Sequence, residues 1–127
     1  MRRRLAIVMP MHWSYSLGGA EMQVRMLVHR LVESGAMDVH FVAREVGAGH
    51  RAQGYALHQV AGRRSIAGTY PLDVAPLQRV LDAIDPDVVY QRVGGAYTYG
   101  SARWAARHRR AMVWHVSSNN DLTSTPW

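Results

Sequence analysis

At 127 residues, 48% hydrophobic and 19% charged, the chain is long enough for one domain with a real core, too short for two, and not of disordered composition. All 15 basic residues are arginine and no cysteine is present, which excludes a P-loop lysine, a Schiff-base lysine, a thiol nucleophile, a disulfide framework and cysteine-ligated zinc. The net charge of +6 suits an anionic partner, but the arginines are dispersed and lack an aromatic-interleaved platform, so no nucleic acid is expected.

Arg2 to Arg4 followed by Leu5 to Met11 has the outline of a signal peptide. Pro10 interrupts the apolar run, however, and no small-residue cleavage site follows His12-Trp13. No segment approaches the roughly 20 apolar residues that span a bilayer, and the default expectation is a cytoplasmic protein.

Leu5-Ala6-Ile7-Val8-Met9 is continuous rather than alternating, as expected of a parallel strand buried on both faces. Trp13 to Glu21 then reads as a glycine turn into a helix. Adjacent Gly18 and Gly19 permit positive φ and leave no Cβ in the way of a ligand; a helix N-terminus adds unpaired N–H groups and partial positive charge, which suits a phosphate. From Gly19 to Ser34 the apolar residues Ala20, Val24, Leu27, Val28 and Leu31 recur at helical spacing, and Gly35 is a natural stop. Glu21 in the first turn complements the helix dipole.

Asp38 to Ala43 is a second strand, completing a βαβ unit. Arg44 to Gly54 reads as a loop, Tyr55 to Val60 as a weaker strand and Gly62 to Tyr70 as a polar connection. Asp73 is placed to cap a helix with Leu77, Val80, Leu81 and Ile84 on one face and Pro76 in its first turn. Val88 to Gln91 is a strand, Gly94-Gly95 a turn, Tyr97 to His108 a helix and Ala111 to Val116 a last strand. The alternation predicts an α/β fold, a Rossmann-like doubly wound parallel sheet.

Ligands of such sheets bind beyond the carboxyl ends of the strands, where strand order reverses. Three loops are expected to converge there: Trp13 to Glu21, Gln91 to Tyr99, and His115 to Asp121. Arg92 suits a phosphate or carboxylate or, equally, an ordinary salt bridge, and Trp13, Tyr15, Tyr97 and Tyr99 are aromatic side chains near this end whose simplest role is packing. The seven histidines lack the i, i+4 pair of a zinc helix, so no metal is expected. The polar tail after His115 brings no helix to cover the last strand, which suggests one incomplete domain of a longer chain.

Gly18-Gly19-Ala20-Glu21 leading into Leu27, Leu31 and Gly35, then Asp38-Val39-His40-Phe41-Val42, resembles the N-terminal domain of family 4-like glycosyltransferases. Pro86-Asp87-Val88-Val89-Tyr90 and Val113-Trp114-His115-Val116-Ser117 are similar to later strands of that family; Met37-Asp38 stands where it often has glycine-histidine. The resemblance covers nearly the whole chain, read as one domain over 1–127, and implies one half of a GT-B architecture. In that architecture the N-terminal domain mostly holds the acceptor, and a C-terminal domain holds the nucleotide sugar and an E-x7-E motif, which this sequence lacks. It further implies a retaining, nucleotide-sugar-dependent transferase that uses no metal and no cofactor, acting in cell-surface polysaccharide or glycolipid synthesis. This chain would be inactive alone. Carried over, Gly18 and Gly19 would bind the donor diphosphate, His115 would be catalytic beside the reacting sugar, and Trp13, Tyr15, Arg92, Tyr97, Asn119 and Asp121 would line the acceptor site. Partners would be the nucleotide sugar, a glycan or glycolipid acceptor, the missing C-terminal domain and, by peripheral contact, an anionic inner membrane face. The competing readings are a non-catalytic ligand- or protein-binding Rossmann-like module and a dinucleotide-binding domain; the latter lacks its G-x-G-x-x-G.

Overall fold

A computed structural model describes residues 2–116. Five strands, β1 (Arg3–Met11), β2 (Met37–Glu45), β3 (Ala56–Gln59), β4 (Val88–Arg92) and β5 (Ala111–His115), are joined through three α-helices, α1 (Gly19–Ser34), α2 (Val74–Ile84) and α3 (Ala96–His108), with no helix between β2 and β3. They form one sheet of order β3-β2-β1-β4-β5, parallel at every pairing. The predicted α/β class and Rossmann-like parallel sheet are observed.

The continuous apolar run of β1 is explained by burial on both sides. Leu5, Ile7 and Met9 pack with Val24 and Val28 of α1 and with Phe41. Ala6 and Val8 face the opposite way, against Leu77 and Leu81 of α2 and Tyr97 and Trp104 of α3. One helix therefore covers one face and two cover the other. β1 is longer than its apolar core because its register with β2 extends from Arg3 opposite Met37 to Met11 opposite Glu45, so backbone pairing continues where side-chain hydrophobicity has stopped.

β1 neighbours β2 on one side and β4 on the other, so the chain winds away from β1 in both directions and strand order reverses between β1 and β4. The carboxyl ends of these two strands form the crevice where an open α/β sheet binds its ligand.

Asp73 departs from its expected role. It precedes α2 but makes no capping bond through its side chain. Its carboxylate is enclosed, accepting the Tyr97 hydroxyl at 2.7 Å, Arg44 Nε–H at 2.9 Å and the Arg63 backbone N–H at 2.8 Å. Three charge-assisted hydrogen bonds outweigh the single one a cap would provide. Among the described residues, no helix is long and apolar enough to cross a membrane.

Candidate functional site

At the carboxyl end of the sheet lies an open cavity of about 230 Å³. β1 contributes Met9, Pro10 and Met11, the β4–α3 turn contributes Val93 to Tyr97, and Glu21 stands at the start of α1. Two of the three expected loops thus meet there. The remaining wall is Gly68, Thr69 and Tyr70, from the connection before α2 that carried no functional signal in the sequence.

The α1 side of the site differs in detail from expectation. Gly18 has φ −96 and ψ −170, an extended backbone open to any residue, so positive φ is not why glycine stands there. Glu21 folds back so that its Oε1 accepts the Gly18 N–H at 2.9 Å, and a Cβ on Gly18 would meet that oxygen at 2.8 Å. One of the N–H groups expected to face a diphosphate is therefore engaged within the chain. A Cβ on Gly19, by contrast, would meet nothing within 4 Å: the chain's own packing does not require glycine there, and the space in front of the helix start is open.

The β4–α3 turn is conformationally unusual. Val93 has φ +73, a region that β-branched residues rarely occupy. It is held by a buried polar lock: Gln91 Nε2–H donates to the Val93 carbonyl at 2.7 Å, and Thr98 Oγ1–H donates to Gln91 Oε1 at 2.6 Å. Backbone strain persists only where surrounding structure over-determines it, and here it fixes a wall of the cavity.

His115 ends β5 opposite Arg92 in register. Its Nδ1 is 2.7 Å from the Tyr90 hydroxyl. Tyr90, Val113 and Ile7 share a sheet face through the register, the face that α1 covers. His115 therefore lies on the same face and at the same end of the sheet as the start of α1, across the width of β4. Arg92 is largely buried and its charge opposes the upward push that burial exerts on the Tyr90 hydroxyl's pKa. Arg92, Tyr90 and His115 thus form one group, in which Tyr90 is the member the sequence did not mark.

The aromatic residues divide. Tyr15 is 54% exposed. Tyr97 borders the cavity but is only 1% exposed, and with its hydroxyl on Asp73 it serves as wall rather than as a stacking platform. Trp13 packs on the β2 side of the site, with ring centroids 3.9 Å from His12 and 5.4 Å from Phe41; it does not line the cavity. Both rings pack between elements, and Trp13 also borders a separate pocket with Arg25, His29 and Tyr55. Tyr99 is half-buried beside Arg103. Asn119 and Asp121 lie outside the described residues.

Beneath Trp13 is a residue the sequence did not single out. His12 is fully buried. Its Nδ1 accepts the Ser14 backbone N–H at 3.0 Å and lies 2.7 Å from Ser14 Oγ, while its Nε2 lies 2.9 Å from the Tyr55 hydroxyl. An accepting Nδ1 assigns the neutral ring with its proton on Nε2. Burial, assisted by the charge of His50, lowers its pKa to about 4. The signal available in advance was only its position at the end of β1. Among the described residues, no three His, Asp or Glu side chains group so as to hold a metal ion.

No protein-family model matches the sequence, and no curated protein does. The fold is similar to a solved structure of UDP-N-acetylglucosamine 2-epimerase, with a TM-score of 0.65 and 14% sequence identity over 99% of this chain and 37% of that one. The chain thus spans little more than a third of that enzyme. At this identity the likeness establishes the fold, a GT-B-like Rossmann domain, and does not single out family 4 glycosyltransferases.

Proposed function

We propose that the chain is the acceptor-side domain of a retaining, nucleotide-sugar-dependent glycosyltransferase acting in cell-surface polysaccharide or glycolipid synthesis, inactive without a C-terminal nucleotide-sugar domain. The observation that carries this reading is the open cavity at the β1/β4 switch point, walled by the first turn of α1 and the glycine turn before α3. The motifs from Gly18 to Glu21 and from Pro86 to Tyr90, and a structural neighbour whose name denotes a UDP-sugar enzyme, support it.

In this reading the Gly19 end of α1 faces the donor diphosphate. The first N–H groups of a helix have no intrahelical partner, and they stabilise the charge that grows on the diphosphate as the sugar leaves. Gly18 joins them only when Glu21 releases its N–H. His115, aligned by Tyr90, hydrogen-bonds a hydroxyl of the reacting sugar; Arg92, Tyr15, Asn119 and Asp121 complete the acceptor side. The nucleotide sugar is a substrate, and no cofactor or metal is proposed. Exposed Leu17, Met22 and Met26, interleaved with exposed Arg25 and Arg30, support peripheral contact with an anionic membrane, on its cytoplasmic face in this reading.

The test is to read the source DNA beyond the Trp127 codon and assay the complete product. An in-frame second α/β domain with an E-x7-E pair, and sugar transfer by that product, is the expected result. Normal turnover by the 127-residue chain alone would overturn the division of labour. One observation favours a second reading, a non-catalytic binding module: the Glu21 carboxylate in the cavity wall opposes a diphosphate. A stop codon after Trp127 with saturable binding of a glycan or protein would establish that alternative.

A further inference from the structure

We infer that the β1/β4 cavity takes an apolar, ring-sized group carried by the acceptor, so that the acceptor class is an aromatic or similarly apolar glycoside rather than a bare sugar. This rests on the acceptor-side reading above and narrows it.

The walls decide the matter. Met9, Pro10, Met11, Val93 and Ala96 bring apolar side chains, and several polar side-chain atoms among the other wall residues already have partners. Glu21 Oε1 accepts the Gly18 N–H, Thr69 Oγ1–H donates to the Ile66 carbonyl at 2.6 Å, and the Tyr97 hydroxyl donates to Asp73. Tyr70 holds its ring under the Arg44 guanidinium, 4.4 Å from its centroid. A sugar ring entering this space would bury several hydroxyls against mostly apolar side chains, and each hydroxyl buried unpaired weakens binding by roughly tenfold or more. An apolar group meets no such penalty and gains from leaving water.

Size agrees. An apolar cavity of about 150 Å³ holds benzene; the space here is about 230 Å³, enough for a substituted ring and well below the volumes of several hundred Å³ that enclose whole ligands. The cavity therefore takes one part of a substrate. The sugar portion of the acceptor remains at its mouth, towards the start of α1, where exposed backbone donors and solvent satisfy its hydroxyls.

Two probes differing only in this group test the inference: phenyl β-D-glucoside and methyl β-D-glucoside, titrated into the protein with amide NMR detection. The expected result is at least tenfold tighter binding of the phenyl compound, with shifts concentrated at 9–11 and 93–97. Ala96→Phe, which fills the cavity from α3, is expected to weaken phenyl binding at least tenfold. Thr69→Trp fills it from the exposed connection before α2 and gives the same result should Ala96→Phe unfold the chain. Equal affinity for the two glucosides, shifts elsewhere, or phenyl binding unchanged in the filled variants would overturn the inference. Those results leave glycosyl transfer standing, whereas a gene without a second domain removes the transfer reading and leaves phenyl binding at the cavity intact.

Discussion

The Tyr97 hydroxyl donates to the Asp73 carboxylate at 2.7 Å inside the core, tying the first turn of α3 to the residue before α2. The same oxygen accepts Arg44 Nε–H at 2.9 Å, so β2, α2 and α3 meet at one buried charge. Asp73→Ala leaves the largely enclosed Arg44 with only the partly exposed Glu45 as its ion-pair partner, and removing one member of a buried pair costs about 3–5 kcal/mol. Tyr97→Phe removes one hydrogen bond to a charged group, about 1.5–3 kcal/mol. Urea unfolding of both variants checks this; a loss under 1 kcal/mol in Asp73→Ala would show that the cluster does not hold these elements together.

Stability should fall in mild acid because of His12. Its folded pKa of about 4 lies below its ordinary 6.5, so between these values the unfolded chain binds more protons and folding weakens as pH drops. The contribution is complete above about 6.5, is lost progressively towards 4 and levels off below. For a shift of this size it amounts to roughly 3 kcal/mol. His40 and His58, each lowered chiefly by burial, act in the same direction. Unfolding free energies at pH 7, 5.5 and 4 should show this slope, and His12→Asn should flatten it; an unchanged slope in the variant would assign the effect elsewhere.

Thr98→Val keeps the shape of a buried side chain and deletes the hydroxyl that satisfies Gln91 Oε1. The expected cost is about 1–3 kcal/mol, that of an orphaned buried acceptor. Because Gln91 also holds the strained Val93 carbonyl, amide exchange should accelerate at 93–96 beyond what the global destabilisation explains. Exchange rising uniformly over the chain would remove the link between the lock and the turn.

Glu21→Ala separates two effects of one carboxylate. Losing its bond to the Gly18 N–H at the start of α1 should destabilise the fold by about 0.5–1 kcal/mol. It also frees that donor and removes a negative charge, so inorganic pyrophosphate should bind severalfold more tightly, with amide shifts at 18–20. Unchanged or weaker pyrophosphate binding would argue against a diphosphate at this helix start.

What the sequence by itself determined is local and periodic. The unbroken run Leu5 to Met9 demanded burial on both faces, helical spacing from Ala20 to Leu31 marked α1 to the residue, and the βαβ alternation required a parallel sheet with its ligand crevice at the carboxyl ends. Such patterns are legible because each residue's environment follows from neighbours two to four positions away. Tertiary structure decided the rest. Asp73 has the composition and position of a helix cap, but its three partners, Arg44, Arg63 and Tyr97, come from distant segments and turn it inward. Trp13 packs beside His12, Tyr97 is held by Asp73, His12 became a buried neutral base, and Gly68 to Tyr70 became a cavity wall. Each of these depends on which segments the sheet order brings side by side, and that pairing of distant residues leaves no period in the chain to read.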